Sequence, residues 1–242
     1  MKRYLSLSLM IILLFSFMTP RLFGQTANEI LEKMIEAYGG RKALENAKDT
    51  SIQGTMEMIQ MGISGNLTIY QKEPDKMRID IEVMGMVITQ AFDGEKAWWF
   101  NPQTGMTEEM PENAAVNMKQ QSLGNDSLLH PEKYGITYTV TGREKLQDKE
   151  YFVLEQAFAN GQKATLYIDM ETYLPYKQDA TSIDQSGVEV PSETFFGDYR
   201  KEGDLITAHS MTVYQGGAEF MKMTFTQFTL NSGLEDDIFK MK

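Results

Sequence analysis

The 242-residue chain contains no cysteine and only two histidines. Without thiols it can form no disulfide staple, no thiolate metal site and no lipid-modified cysteine. The histidines, His130 and His209, stand in different segments, and neither belongs to a His-Glu-x-x-His pattern. His209 alternates with Thr207 and Met211 on one strand face and reads as packing or surface. A Gly-x-Ser-x-Gly elbow, a Walker loop and a dinucleotide fingerprint are also missing. Carboxylates are abundant, but Asp80 and Glu82 oppose the apolar side of their strand, and Glu108-Glu109 and Asp236-Asp237 read as solvated charge. The sequence therefore predicts no catalytic residue, no metal ligand, no cofactor and no enzyme. A hydrolase would need buried carboxylates converging in one cleft.

Positive charge is scarce. The 23 Lys and Arg are outnumbered by 34 Asp and Glu, for a formal charge of −11. Such a surface repels phosphate backbones and anionic headgroups, which argues against nucleic acid as a partner. The one long apolar run, Leu5 to Met18, follows Lys2 and Arg3 and precedes Pro20, Arg21 and Gly24. It is shorter than the roughly 20 residues a spanning helix needs, so residues 1–24 read as a signal peptide cleaved after Gly24. Its loss removes three positive charges and no negative one, taking the charge from −11 to −14. The expectation is an exported protein, soluble after cleavage and not a lipoprotein, with residues 25–242 as one domain.

The mature chain opens with helix signals. Thr26 or Asn28 can cap a segment that puts Ile30, Leu31, Met34, Ile35 and Tyr38 on one face, ended by Gly39-Gly40. A second short helix brings Ala43, Leu44 and Ala47 inward. From Thr50 the period changes to two. Ile52, Gly54, Met56 and Met58 alternate with polar residues, as do Ile63 to Ile69 and, most cleanly, Met77, Ile79, Ile81 and Val83. Asp93-Gly94 and Asn160-Gly161 are hairpin turns. A helical insertion from Pro111 to about Tyr134 interrupts the strands and reads as a lid or a surface excursion. Strands then resume, with Leu166, Ile168 and Met170 expected to face the same interior as Met77 to Val83 and Met221 to Phe225. Beyond them the stretch from Ser182 to Ser192 is polar and turn-rich. The pattern gives roughly ten or eleven strands, most simply a meander.

Fifteen of the 18 methionines lie after residue 24. Their unbranched thioether side chains suit a pocket for flexible acyl chains, and they also fill ordinary cores. In the second case the chain is a non-catalytic cell-envelope interaction module with a side-chain-filled barrel.

Several motifs carry a family resemblance across nearly the whole mature chain. They are Ala37-Tyr38-Gly39-Gly40-Arg41-Lys42-Ala43-Leu44 before Ser51-Ile52-Gln53-Gly54, Phe92-Asp93-Gly94 before Ala97-Trp98, Leu166-Tyr167-Ile168-Asp169 before Tyr173-Leu174-Pro175, Phe196-Gly197-Asp198-Tyr199-Arg200, and the closing Leu234-Glu235-Asp236-Asp237-Ile238-Phe239. The chain resembles the outer-membrane lipoprotein-sorting family. The resemblance implies a mainly β (α+β) fold, a single large antiparallel sheet curled into an incomplete β-barrel, with N-terminal helices and a short helical insertion covering the concave face. It implies a carrier or sensor that binds lipid or lipoprotein acyl chains, with an envelope membrane protein as a further candidate partner. The implied cavity is lined by Met56, Met58, Met77, Ile79, Ile81, Val83, Leu166, Ile168, Met221 and Met223.

Overall fold

The computed structural model describes residues 24–101, 104–183 and 188–241. The expected leader lies outside these residues except for Gly24, as does part of the polar stretch after Ser182. Helix α1 (Ala27–Ala37) starts at a capping box in which Thr26 and Glu29 satisfy each other's backbone N–H groups. It stops where Gly39 and Gly40 take positive φ angles of 122° and 91°. Helix α2 (Arg41–Asn46) follows directly.

Two meanders make the sheet. The first runs through β1 (Asp49–Met58), β2 (Ile63–Lys72), β3 (Lys76–Val83), β4 (Met86–Phe92), β5 (Ala97–Asn101) and β6 (Met106–Glu109). The second runs through β7 (Thr137–Leu146), β8 (Lys149–Ala157), β9 (Lys163–Asp169), β10 (Pro175–Ile183), β11 (Glu189–Glu202), β12 (Leu205–Gln215) and β13 (Ala218–Leu230). Strand β13 pairs antiparallel with β1, which fuses the meanders into one 13-stranded sheet whose edges are β6 and β7. The sheet has more strands than the alternation count. The turn expected at Tyr173-Leu174-Pro175, where Tyr173 has a φ of +58°, separates β9 from β10, and β6 is only four residues long.

The segment from Met110 to Ile136 joins the two edges. It contains α3 (Glu112–Gln121) and α4 (Asn125–Leu129), so the insertion crosses the gap of the open barrel. Helix α1 packs Ile30, Leu31 and Met34 onto Phe152, Leu154 and Ile168 of β8 and β9. Burying such a side chain is worth about 1.5–3 kcal/mol. Helix α3 packs Met118, with Ala114 and Ala115, onto Phe92 and Ala97. Leu44 of α2 and Leu129 of α4 close one end of the barrel with Ile35, Ala47 and Leu205.

The convex face is not uniformly wet. On β3, Arg78 Nε donates to Asp80 Oδ1 at 2.9 Å, and Thr89 Oγ1 donates to the same oxygen at 2.7 Å. Arg78 Nη1 also donates to the carbonyl of Ile238, and Trp98 Nε1 to that of Phe239 at 2.7 Å. The C-terminal tail thus lies over β3 and β5 and buries Phe239 completely. Asp80 is therefore half-buried in a polar network, which corrects its reading as solvated charge; Glu82 is exposed. Lys72 and Lys76 both bind Asp236 and pull its carboxyl down to about 2. Farther round, the rings of Tyr151, Tyr176, Phe195 and Tyr214 contact one another in series, with centroids 4.8–5.6 Å apart. Such cross-strand contacts stabilise a face that carries no second layer.

Candidate functional site

Between the strands covered by α1 and those covered by α3, the concave face of β12, β13, β1, β2 and β3 carries an apolar floor. Met56, Leu67 and Phe225 are buried at its base. Around them Met58, Ile69, Ile79, Ile81, Met211, Met221 and Met223 are only half-buried. The register aligns these side chains in cross-strand rows, with Met58 opposite Met221 and Met56 opposite Met223, which in turn faces Met211. Two glycines let the strands approach. A Cβ on Gly54 would lie 2.1 Å from the Thr224 carbonyl oxygen, and one on Gly65 would lie 2.7 Å from Val83 Cγ2. Unbranched thioethers side by side form an adaptable apolar surface.

Of the ten residues expected to line a cavity, Met56, Met58, Ile79, Ile81, Met221 and Met223 meet in this floor. Val83 leans over Gly65 at its margin. Met77 sits with Ile79 against the residues beneath α3. Leu166 and Ile168, with Met170, lie in the separate cluster beneath α1. The structure therefore divides the expected single interior into a part filled by α1 and a part left open. Leu67, Ile69, Met211 and Phe228 complete the floor. Strand alternation finds the first three, whereas Phe228 is out of phase with Met221, Met223 and Phe225 and joins them through the register shift at Gln53–Gly54.

The open end is rimmed by hairpin tips. Met84 and Gly85 both have positive φ, 51° and 79°, forming a tight two-residue turn that holds Met84 out at 87% exposure. Ile59 and Met61 in the β1–β2 connection, Met86 and Val87 at the start of β4, and Met106 at the start of β6 are exposed at the same end. Nothing in alternation singles them out, because tips carry no face.

The opposite end is held by polar contacts. Glu73 follows β2 and accepts the backbone N–H groups of Asn125 at 2.7 Å and Asp126 at 3.1 Å, at the start of α4. Gln71 Nε2 donates to the Ser122 carbonyl at 2.7 Å. Burial pushes the Glu73 carboxyl up, against the pull of its two backbone donors. Across the gap, Gln162 Nε2 donates to Asn117 Oδ1 of α3 at 3.2 Å. The cover is thus tied to both halves of the sheet.

His209 is buried, with Nδ1 3.0 Å from the Phe225 carbonyl and its ring against Phe228. It lies on the same face of β12 as Met211, at the edge of the floor beside Phe228. Among the described residues no group of three His, Asp or Glu side chains is arranged to hold a metal ion. Two hollows lie away from the floor. One, of about 480 Å³, is bounded by Glu36, Lys42, Asn46, Lys201 and Asp204, and the other, of about 420 Å³, by Thr55, Glu57, Ser64 and Glu82. Both are polar. Among the described residues no helix is long and apolar enough to cross a membrane.

The sequence matches no protein-family model and no curated protein. Solved structures do match. A LolA superfamily protein from Nitrosomonas europaea is 16% identical with a TM-score of 0.62, covering 90% of this chain and 98% of that one. A DUF1329 family protein from Desulfovibrio piger is 14% identical with a TM-score of 0.61, covering 88% and 96%. A putative outer membrane lipoprotein-sorting protein domain from Vibrio parahaemolyticus is 17% identical with a TM-score of 0.57, covering 86% and 95%. The chain has the LolA-like fold.

Proposed function

We propose, with the LolA-like fold as premise, that this protein is a non-enzymatic carrier or sensor that holds the acyl chain of a lipid or lipoprotein on its concave floor. The observation that carries the reading is the half-buried row of Met58, Met211, Met221 and Met223 between two helical covers. A core would bury such a row, and a wet surface would not contain one. Each methylene removed from water contributes about 0.8 kcal/mol, so part of one chain supplies micromolar binding. Residues 1–24 act as a cleaved signal peptide, residues 25–242 as the carrier domain, and the periplasm as its compartment. With no cysteine to acylate, the mature protein travels free of a lipid anchor.

Native mass spectrometry of gently purified protein, with titration of a fluorescent fatty acid, tests this. Copurifying lipid or saturable micromolar binding is expected. Neither would leave the second reading, an envelope interaction module, which the exposed Met84, Met86 and Val87 favour. That reading expects capture of an envelope membrane protein, lost when these three are changed to serine.

A further inference from the structure

Two tryptophans stand side by side in β5, and their indole N–H groups meet different fates. Trp98 points to the convex face and donates to the Phe239 carbonyl at 2.7 Å. Trp99 points to the concave face, where it packs with Phe92, Ala97 and Met118 beneath α3. Its Nε1 is shut off from solvent and has no acceptor among the described residues. A buried donor without a partner costs about 1–3 kcal/mol, and such groups are rare in folded proteins. The Trp99 donor is not remote from the floor, because Ile79 belongs both to the cluster around Trp99 and to the floor cluster. Cross-strand pairing also sets Gln90 between Ile79 and Trp99. A floor that is otherwise methionine, isoleucine and phenylalanine therefore ends, on the α3 side, in an unused indole donor with an amide next to it.

We propose that Trp99 marks the polar end of the acyl site, and that its Nε1–H donates to the carbonyl oxygen of a neutral acyl ester, with Gln90 beside it. This rests on the acyl-carrier reading and adds the chemistry of the head. A free carboxylate fits less well. The next cross-strand neighbour of Trp99 is Glu108, whose carboxyl is held down by hydrogen bonds from Thr104 and Asn101 and so carries negative charge. An anionic head would meet that charge unpaired. An ester carbonyl brings the acceptor without the charge.

The test uses the full mature chain and displacement of N-phenyl-1-naphthylamine by three ligands of equal chain length: 1-oleoylglycerol, oleate at pH 8 and 1-octadecene. The ester is expected to bind more tightly than either of the others. Trp99→Phe is expected to weaken the ester about five- to tenfold and to leave octadecene unchanged. Because the variant also touches α3 packing, the unaltered protein supplies a second readout. The chain has two tryptophans, so its indole ¹⁵N–¹H spectrum has two peaks, and the ester should move the Trp99 peak while leaving that of Trp98. If all three ligands displace the probe alike, or the Trp99 peak ignores the ester, the ester site is overturned while the carrier reading stands. If the probe and the ligands fail to bind the unaltered protein at all, both fall.

Discussion

Glu73 Oε1 accepts the backbone N–H of Asn125 at 2.7 Å, and the two residues join the end of β2 to the start of α4. Because burial raises the Glu73 carboxyl above its ordinary 4.5, protonation is easier in the folded chain than in the unfolded one. The linkage has a definite sign. The contribution of this group to stability is fully present below the unfolded value and is lost as pH rises through the folded value. Relative to Glu73→Gln, which has no titration here, the unaltered protein should gain melting temperature between pH 7.5 and pH 4.5. A difference that stays constant over that range refutes the assignment.

Gly39 is the second test of the helical layer. Its φ is +122°, and a Cβ there would stand 2.1 Å from the Asp204 carbonyl oxygen. The adjacent Tyr38 carbonyl accepts the Ile206 N–H at 2.9 Å. Gly39→Ala should cost about 1–3 kcal/mol from backbone conformation, with the collision adding to it. A urea midpoint equal to that of the parent would show that the α1 turn lies farther from β12.

Phe239→Ala should cost about 3–5 kcal/mol, the range for emptying a fully buried aromatic site. Its removal should also expose Trp98, whose fluorescence would shift to the red. An unshifted spectrum and unchanged stability would place the tail off the sheet.

Binding and stability should separate. Met221→Asp puts a charge on the half-buried floor and should lower affinity for an acyl probe at least about tenfold while changing the melting temperature little. Leu154→Ala, in the core beneath α1, should lose about 2–5 kcal/mol and leave probe affinity intact in the folded protein. If Leu154→Ala abolishes probe binding and Met221→Asp does not, the ligand sits under α1.

Strands such as β3 were legible because one buried face imposes a period of two, and the same alternation placed Met56, Met58, Met221 and Met223 on one surface. What stayed hidden depends on contacts far apart in the chain. Arg78 and Asp80 alternate with apolar residues as a solvated face would, but the carbonyl that covers Arg78 belongs to Ile238, 160 residues away. Leu166 and Ile79 have the same local pattern. They differ only in which helix crosses above them, and that is set by how the chain spans the gap between β6 and β7. Trp98 and Trp99 are adjacent letters, and only the fold decides that one donor is used while the other has no acceptor among the described residues.

The passage of the chain from β6 to β7 has a mechanical consequence. The sheets of the two meanders are joined on one side by hydrogen bonds between β1 and β13, and across the open side by the residues from Met110 to Ile136. Hinge and strap therefore form a closed circuit, like a purse with its clasp sewn to both lips. Spreading the lips must pull on α3 and α4, and lifting those helices must release the lips, so gape and cover share one degree of freedom. A cargo wide enough to part the sheet would draw its own strap taut.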